Sequence, residues 1–312
     1  MAVDAGRPGV WVIVLNWNGE EVIRECLDSL LAMSYAGFRV MVVDNSSKDG
    51  SPDIVARDYP GVELLRLKEN LMYAGGNNAG IRAALSDGAG AIMLVNNDTR
   101  ADRELLTHLV EALETHPKAG AAGPKIYYHD AGDTIWSAGG KVHISVGVVR
   151  HIGIRKADSG RYGSLREVDY LTGCCVLIRA EALKAVGLLD TSYGIYSEDV
   201  DWCLRARRMG WKSLFVPRAL LWHKVSHSSG GGLTPFKAYY RMRSNVLLFR
   251  RFARPVHWLV WPPATAGLAA AMACAQAARG RFGVAREFLR GWAHGFFFPG
   301  AEDPPGHKKE PK

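Results

Sequence analysis

Short unbroken apolar runs, each ending in polar residues and each followed by an amphipathic stretch, recur through the first hundred residues. The stretch 10–16 reads VWVIVLN, with none of the alternation of a half-exposed strand, as befits a strand covered on both faces. In EEVIRECLDSLLAMSY, which follows, Ile23, Cys26, Leu27, Leu30 and Leu31 recur at helical spacing, and Glu20 and Glu21 are placed to suit the positive end of the helix dipole. Further strands are predicted at RVMVVDN (39–45), VELLRL (62–67) and AIMLVNND (91–98), with helices from Pro52 and after AGGNNAG. Strand and helix in strict succession predict an α/β chain with an open, mainly parallel sheet and helices on both faces. Ligands of such sheets sit beyond the carboxyl ends of the strands. The polar residues there are the first candidates for chemistry.

Asp44 directly follows a four-residue apolar run, so its side chain leaves the sheet at that edge, where it could accept an imide N–H. Asp98 stands just past another strand, with Asn96 two residues before it, a natural position for a metal-bound diphosphate. Hard divalent cations take oxygen ligands, commonly one or two carboxylates with substrate phosphates and water. Either acid alone could equally be a turn former that ends a strand; the two together are harder to dismiss. Gly75 and Gly76 precede Asn77 at a helix start, which reads as a close backbone approach to a ligand or as a turn and a cap. No G-x-G-x-x-G or G-x-x-x-x-G-K-[ST] follows the first strand, so neither a dinucleotide fold nor a P-loop is supported. A sugar-phosphate nucleotidyltransferase would also want a glycine-rich loop there, where NWNGEEVI has one glycine.

In YSEDVDW, Glu198 and Asp199 follow Ser197, an N-cap residue type, and open a helix whose Val200, Cys203 and Leu204 suit burial. Acids favour a first helical turn for dipole reasons alone, so this cluster does not by itself decide between structure and chemistry. Cys174 and Cys175 read as small core residues rather than nucleophiles.

Taken in order, VIVLNWNG, VVDNSSKDGS, NLMYAGGNNAGI, LVNNDT, TGCCVLIRAEALKAVGLLD, YSEDVDWCLRARRMGW and LWH resemble the inverting glycosyltransferase family two, particularly its bacterial rhamnosyltransferase-like branch, from about residue 10 to residue 250. The resemblance implies a GT-A fold, a nucleoside-diphosphate sugar donor, usually a UDP or dTDP sugar such as dTDP-rhamnose, and Mg²⁺ or Mn²⁺. It makes Asp44 the base-binding aspartate, Asp98 the metal-binding end of a D-x-D motif and Asp199 the catalytic base. Asn96 departs from the usual first aspartate of that motif and leaves fewer charged metal ligands. Asn16, Asn18, Gly75, Gly76, Asn77, Asn96 and Asn97 then fall on the donor side, Gly173 and Tyr196 on the acceptor side, and His223 becomes a further ligand of metal or diphosphate. Inverting transfer needs one carboxylate to take the acceptor hydroxyl proton. Of two adjacent acids, one can be the base while the other, Glu198, positions the acceptor. His227 is expected to be solvated or to touch phosphate, in a Ser/Gly tract, SHSSGGGLT, that could close over the donor. The stretch 124–170 lacks helical periodicity and is expected to form short strands and loops near the acceptor.

The 312 residues allow one large domain with appendages or two domains. Residues 1–234 are assigned to the nucleotide-sugar transferase domain and 235–312 to a basic, apolar, helical, membrane-associating tail. The formal charge of +8 calls for an anionic partner: a nucleotide diphosphate, a lipid surface or nucleic acid. Five cysteines without a C-x-x-C pair fit a reducing compartment, and MAVDAGRPG lacks an apolar signal region; a cytoplasmic protein is expected. From Pro255 to Ala278 the chain is long enough for a span of about 20 residues. Pro262 and Pro263 interrupt it, however, and flanking arginines favour helices lying on an anionic membrane surface. That puts the protein at the inner face of the cell membrane, beside a glycan or polyprenyl-linked glycan acceptor. A nucleic-acid binder would interleave arginine and aromatic residues on one exposed face, so no nucleic-acid partner is expected. A non-catalytic sugar-nucleotide-binding protein could have lost Asp98 or Asp199, and both are present.

Overall fold

The computed structural model describes residues 9–225 and 232–297. The first half is built as β1 (Val10–Asn16), α1 (Ile23–Leu31), β2 (Phe38–Asp44), α2 (Ser51–Asp58), β3 (Glu63–Arg66), α3 (Met72–Ser86) and β4 (Ala91–Asn96). The apolar run of β1 has no alternation because both of its faces are covered. Trp11 and Ile13 enter one core layer with Ile81 and Ala84 of α3, while Val10, Val12 and Val14 enter the other with Ile23, Cys26 and Leu27 of α1. Helix α1 begins later than its acids suggest. Gly19 O accepts from the amides of Val22 and Ile23, so Glu20 and Glu21 occupy the preceding turn and Glu25 is the acid of the first turn. Glu20 instead accepts from the Gly50 amide at 3.0 Å, just ahead of α2.

Parallel pairing runs β3–β2–β1–β4. The chain therefore winds outward from β1 to β3 and then returns to β1's other side, which creates a switch point between β1 and β4 where ligands of such sheets bind. Beyond β4 come β5 (Thr99–Ala101), α4 (Leu105–Thr115), β6 (Ala119–Tyr128), β7 (Thr134–Ser137), β8 (Gly140–His143), β9 (Val148–His151), β10 (Lys156–Ala157), β11 (Arg166–Val168), β12 (Cys175–Arg179), α5 (Ala180–Val186), α6 (Glu198–Arg208) and β13 (Lys212–His223). The aperiodic stretch is strands and loops, with one short 3-10 turn at Ile144–Val146. β12 runs antiparallel to β4, so Cys174, just ahead of its first residue, lies beside the carboxyl end of β4, where its O accepts from the Asn96 amide at 3.0 Å. β13 is parallel to β6 and ends at His223, paired with Thr99.

Three helices complete the described chain: α7 (Pro235–Phe252), α8 (Trp261–Ala277) and α9 (Phe282–Phe297). The boundary at 234/235 coincides with a cap, Thr234 Oγ1 accepting from the Lys237 amide at 3.2 Å. The apolar core runs on across it. Ser244 Oγ donates to Tyr193 O at 3.1 Å and Ile195 O at 3.0 Å, and Arg243 to Ser192 O at 2.9 Å, while Met242, Val246 and Phe249 share a core layer with Ile13 and Leu94. Pro262 and Pro263 do not interrupt a helix; they start α8, where a missing amide costs nothing. Among the described residues no helix is long and apolar enough to cross a membrane.

Helix α9 lies close on α7 because Gly291 and Gly295 face its backbone: a Cβ would come within 2.4 Å of Tyr239 O and 2.7 Å of Arg243 O. Gly267, on α8, has nothing within 4 Å of its Cβ position. Gly291→Ala should lose about 1–3 kcal/mol from overpacking against backbone, whereas Gly267→Ala should gain about 0.5–1 kcal/mol from helix propensity. Urea denaturation of the two variants checks the contrast in sign.

Candidate active site

At the switch point the strand ends are joined through side chains. Asn16, the last residue of β1, approaches Asp44 Oδ1 at 3.2 Å, Ser47 Oγ at 3.3 Å and Ser51 Oγ at 2.8 Å with its Nδ2, while its Oδ1 accepts from Asn97 Nδ2 at 2.8 Å. Asp44 ends β2, opposite Asn16 in register, and its Oδ2 accepts from the Ser47 amide at 3.3 Å. Asn18 Oδ1 accepts from the Lys48 amide at 2.8 Å, and the Asn18 amide donates to Ser47 Oγ at 2.9 Å. Gly19 closes the corner: a Cβ there would stand 2.2 Å from Asn97 Nδ2 and 2.4 Å from Asn16 Oδ1.

Gly75, Gly76 and Asn77 are placed differently from the sequence expectation of a helix start. α3 begins at Met72, so all three lie past its first three residues and are buried. The Cβ of any larger residue at 76 would come 2.5 Å from Leu15 Cδ1, and at 75 it would come 2.8 Å from Leu71 Cβ. Close packing of helix on sheet accounts for Gly76, and the N-cap residue of the same helix, Leu71, crowds Gly75. Asn77 Nδ2 donates to Tyr73 O within the same helix.

Asp98 and His223 meet. His223 Nε2 lies 3.1 Å from Asp98 Oδ1, with both side chains buried, and the Lys224 amide donates to Asp98 O at 2.9 Å. His223 Nδ1 is a buried nitrogen without a hydrogen-bond partner. An oxygen and a nitrogen donor side by side are of the kind taken by a divalent cation that tolerates imidazole, which suits Mn²⁺ better than Mg²⁺. Among the described residues no third His, Cys, Asp or Glu joins them, so such a cation would take its remaining ligands from diphosphate and water. Asn96 turns its backbone inward, Thr99 Oγ1 donating to its O at 2.7 Å. His227 and most of its Ser/Gly tract lie outside the described residues.

The three acids opening α6 have three different environments. Asp201 is fully buried in an ionic network, accepting from Arg205 Nε at 2.6 Å and Tyr193 Oη at 3.2 Å, with Arg251 at 3.0 Å. Glu198 is buried, and its Oε2 has no partner. Burial, and then the charge of Asp199, push its carboxyl well above the usual carboxylate range. Asp199 is partly exposed; Oδ2 accepts from the Gly173 amide at 2.8 Å and Oδ1 from the Val200 amide at 2.8 Å. Burial raises its carboxyl too, against the pull of those hydrogen bonds. Ser197 occupies the N-cap position without a side-chain cap, because it and Tyr196 both have φ of 69°. Tyr73 Oη donates to Gly173 O at 2.6 Å, and a Cβ on Gly173 would stand 2.4 Å from that hydroxyl. Burial pushes the Cys174 and Cys175 thiols up, leaving inert core sulfurs.

Left-handed backbone at non-glycine residues gathers around these groups: Asn18, Ser46, Met72, Tyr196, Ser197 and the β-branched Val225 all have positive φ. Such conformations cost about 1–3 kcal/mol each and concentrate at functional sites. Sequence reasoning missed Ser47, Tyr73 and Asp201, although each lies inside a quoted motif. It also missed an aromatic group beside His223. Trp136 packs edge-on to His223 with centroids 4.7 Å apart and tilts over His151 at 4.6 Å, and Tyr170 Oη shares a hydrogen bond with His151 Nδ1 at 3.3 Å. Burial, then the Arg241 and His223 charges, lower His151 to about 4, so its ring is neutral at neutral pH.

Glu198 gives a pH signature of stability. Because its proton is held in the fold above the ordinary 4.5, the native state binds more protons than the unfolded chain once pH exceeds that value, and stability falls as pH rises. Glu198→Gln removes the part of the fall due to Glu198, so its Tm relative to the wild type should be higher at pH ~7.5 than at pH ~4.5. An equal difference at both values, measured by thermal unfolding, would contradict the burial of an acid form.

Residues 11–187 match the family described as glycosyl transferase family 2. N-acetylglucosaminyl-diphospho-decaprenol L-rhamnosyltransferase of Mycobacterium tuberculosis is 28% identical over 271 residues, which cover 79% of this chain and 87% of that protein. Among solved structures, a mannosyltransferase of Pyrobaculum calidifontis in complex with GDP-Man and Mn²⁺ superposes with a TM-score of 0.62 at 19% identity, over 93% of this chain and 88% of that one. GalNAc-T7 with UDP, GalNAc and Mn²⁺ superposes with a TM-score of 0.61 at 14% identity, over 79% of this chain and 48% of that one. At such identities the likeness to solved structures is one of fold. A family match over more than half the length, on a sheet with the strand order and helical cover of a GT-A enzyme, makes this chain a member of glycosyl transferase family 2 and a glycosyltransferase.

Proposed function

We propose that the enzyme inverts: it moves a sugar from a UDP- or dTDP-sugar, dTDP-rhamnose among them, to a hydroxyl of a lipid-linked glycan at the inner face of a membrane. The observation that carries this reading is the short bonded path from donor side to acceptor side. Asn96, two residues before Asp98, bonds Cys174, and the adjacent Gly173 amide bonds Asp199 Oδ2. The one partly exposed acid of α6 therefore stands next to the strand end that carries the Asp98–His223 pair.

In the proposed reaction Asp44 accepts the imide N–H of uracil or thymine, its carboxylate aimed by Asn16 and the Ser47 amide. Asp98 and His223 would hold a divalent cation, which when bound neutralises charge on the leaving diphosphate. Asp199 takes the acceptor hydroxyl proton as that oxygen bonds the anomeric carbon and the bond to the diphosphate oxygen breaks on the opposite face. The amides of Gly173 and Val200 fix its orientation. Its raised pKa makes it the stronger base once ionised.

The mycobacterial relative is named for an acceptor on diphospho-decaprenol, and a like acceptor would require this chain to work at a bilayer. Support for that comes from the connection between α7 and α8. There Val256 is 67%, Leu259 82% and Val260 47% exposed, with Trp258 close to Phe296 at 6.3 Å and the exposed Phe297 next to Phe296. Arg254, which opens that connection, is exposed. Each basic residue near an anionic surface adds about 1 kcal/mol, and burying an exposed leucine adds about 1.5–3 kcal/mol that salt does not screen.

Asp199→Asn keeps the shape of the helix start and removes the base. Turnover should fall by ~10²–10⁴ while nucleotide-sugar binding persists; near-wild-type turnover would sink the assignment. The intact protein should sediment with phosphatidylglycerol vesicles at low salt and partly at high salt, and Val256→Ser with Leu259→Ser should abolish the high-salt fraction. Wild-type protein left in the supernatant at low salt would refute membrane contact.

A further inference from the structure

We propose that Trp136 and His151 form the acceptor-sugar subsite, and that Arg241 receives the phosphate that follows that sugar in a diphospholipid-linked acceptor. This rests on the proposed function. The nucleophilic hydroxyl must arrive between the leaving diphosphate and Asp199, and Trp136 packs between groups tied to each. On one side it packs against His223, partner of Asp98; on the other it packs against His151, which is bonded to Tyr170, three residues before the Gly173 that holds Asp199. Along β7 the neighbours Ile135 and Ser137 are buried, whereas Trp136 keeps part of its surface open, as does His151 at the end of β9.

The chemistry suits a pyranose. Sugar sites pair an aromatic surface, which covers the C–H face, with a few placed polar groups that fix the hydroxyls. A neutral imidazole bonded through Nδ1 leaves Nε2 for a hydroxyl. Arg241 is exposed on α7 between Tyr240, which packs on Gly194, and Ser244, which bonds Tyr193 O and Ile195 O, so a cation stands on the helix that supports the turn ahead of Asp199, and its charge is felt at His151 and Tyr196. An arginine there meets a diphosphate with several donors at once. The same helix leads to the exposed apolar segment, so sugar, diphosphate and lipid would lie in that order along one face.

Two probes separate these parts: N-acetylglucosaminyl diphosphate on a short prenyl chain, and octyl N-acetylglucosaminide, which has no phosphate. Binding of each to the full-length protein, saturated with UDP and Mn²⁺, is measured by calorimetry, alongside UDP affinity itself. Trp136→Ala and His151→Ala should weaken both probes by about tenfold or more, with Trp136→Phe recovering part of the loss, and UDP affinity should change less than about twofold. Arg241→Gln should weaken only the diphosphate probe. Unchanged probe affinity in all variants, or probe and UDP affinities falling together, would overturn the subsite. A wild type that binds neither probe but transfers sugar to another acceptor would overturn it too, leaving the glycosyltransferase reading in place; one that binds neither probe and releases nucleotide from no UDP- or dTDP-sugar would remove both.

Discussion

One buried amide, that of Asn16, connects the strand ends on which the site depends. Its nitrogen faces Asp44 and Ser51, and its oxygen accepts from Asn97, so β1, β2 and the turn after β4 are held through a single side chain. Buried polar groups at a sheet edge are costly unless paired, and here the pairing also fixes direction. Asp44 is held between Asn16 and the Ser47 amide, and the Asn97–Asp98 turn is set against the end of β13, beside His223. Gly19 is required because any side chain would occupy the space of that bond.

The proposed acceptor side depends on the opposite device, a short run of strained backbone. Tyr196 and Ser197 both adopt left-handed conformations immediately before α6, which turns the three acids of its first turn into three environments. Asp201 is neutralised by arginines, Glu198 is buried, and Asp199 alone reaches both solvent and the Gly173 amide. Ser244 on α7 anchors the preceding loop by accepting the role of donor to Tyr193 O and Ile195 O. The C-terminal helices thus support the turn ahead of α6 as well as carrying the exposed apolar surface.

Much of the fold was legible because covered strands and one-sided helices have different periods, and β1, β2, β4 and α6 follow theirs closely. That Asp44 and Asp98 stand at strand ends and Asp199 at a helix start was legible from the apolar runs beside them, whereas His223 was singled out by the family resemblance. Other features depend on neighbours distant in sequence. Gly75 and Gly76 read as ligand-facing, yet their lack of a side chain is used against Leu71, Leu15 and Asn45. Glu20 and Glu21 read as helix acids, but Gly19 closes a turn first. Pro262 and Pro263 read as breakers, whereas position within a helix decides whether proline breaks or begins it. Trp136, His151 and Tyr170 come from a stretch with no period, and only the antiparallel pairing of β6 with β7 and of β8 with β9 brings them together.

The role proposed for Asp199, a single carboxylate on the acceptor side, implies direct displacement, with no covalent sugar–enzyme stage. The anomeric configuration of newly transferred sugar, read by proton NMR on product formed from a donor of known configuration, tests this most directly. Opposite configurations in donor and product are predicted; retention would contradict the role given to Asp199 and the geometry built around it.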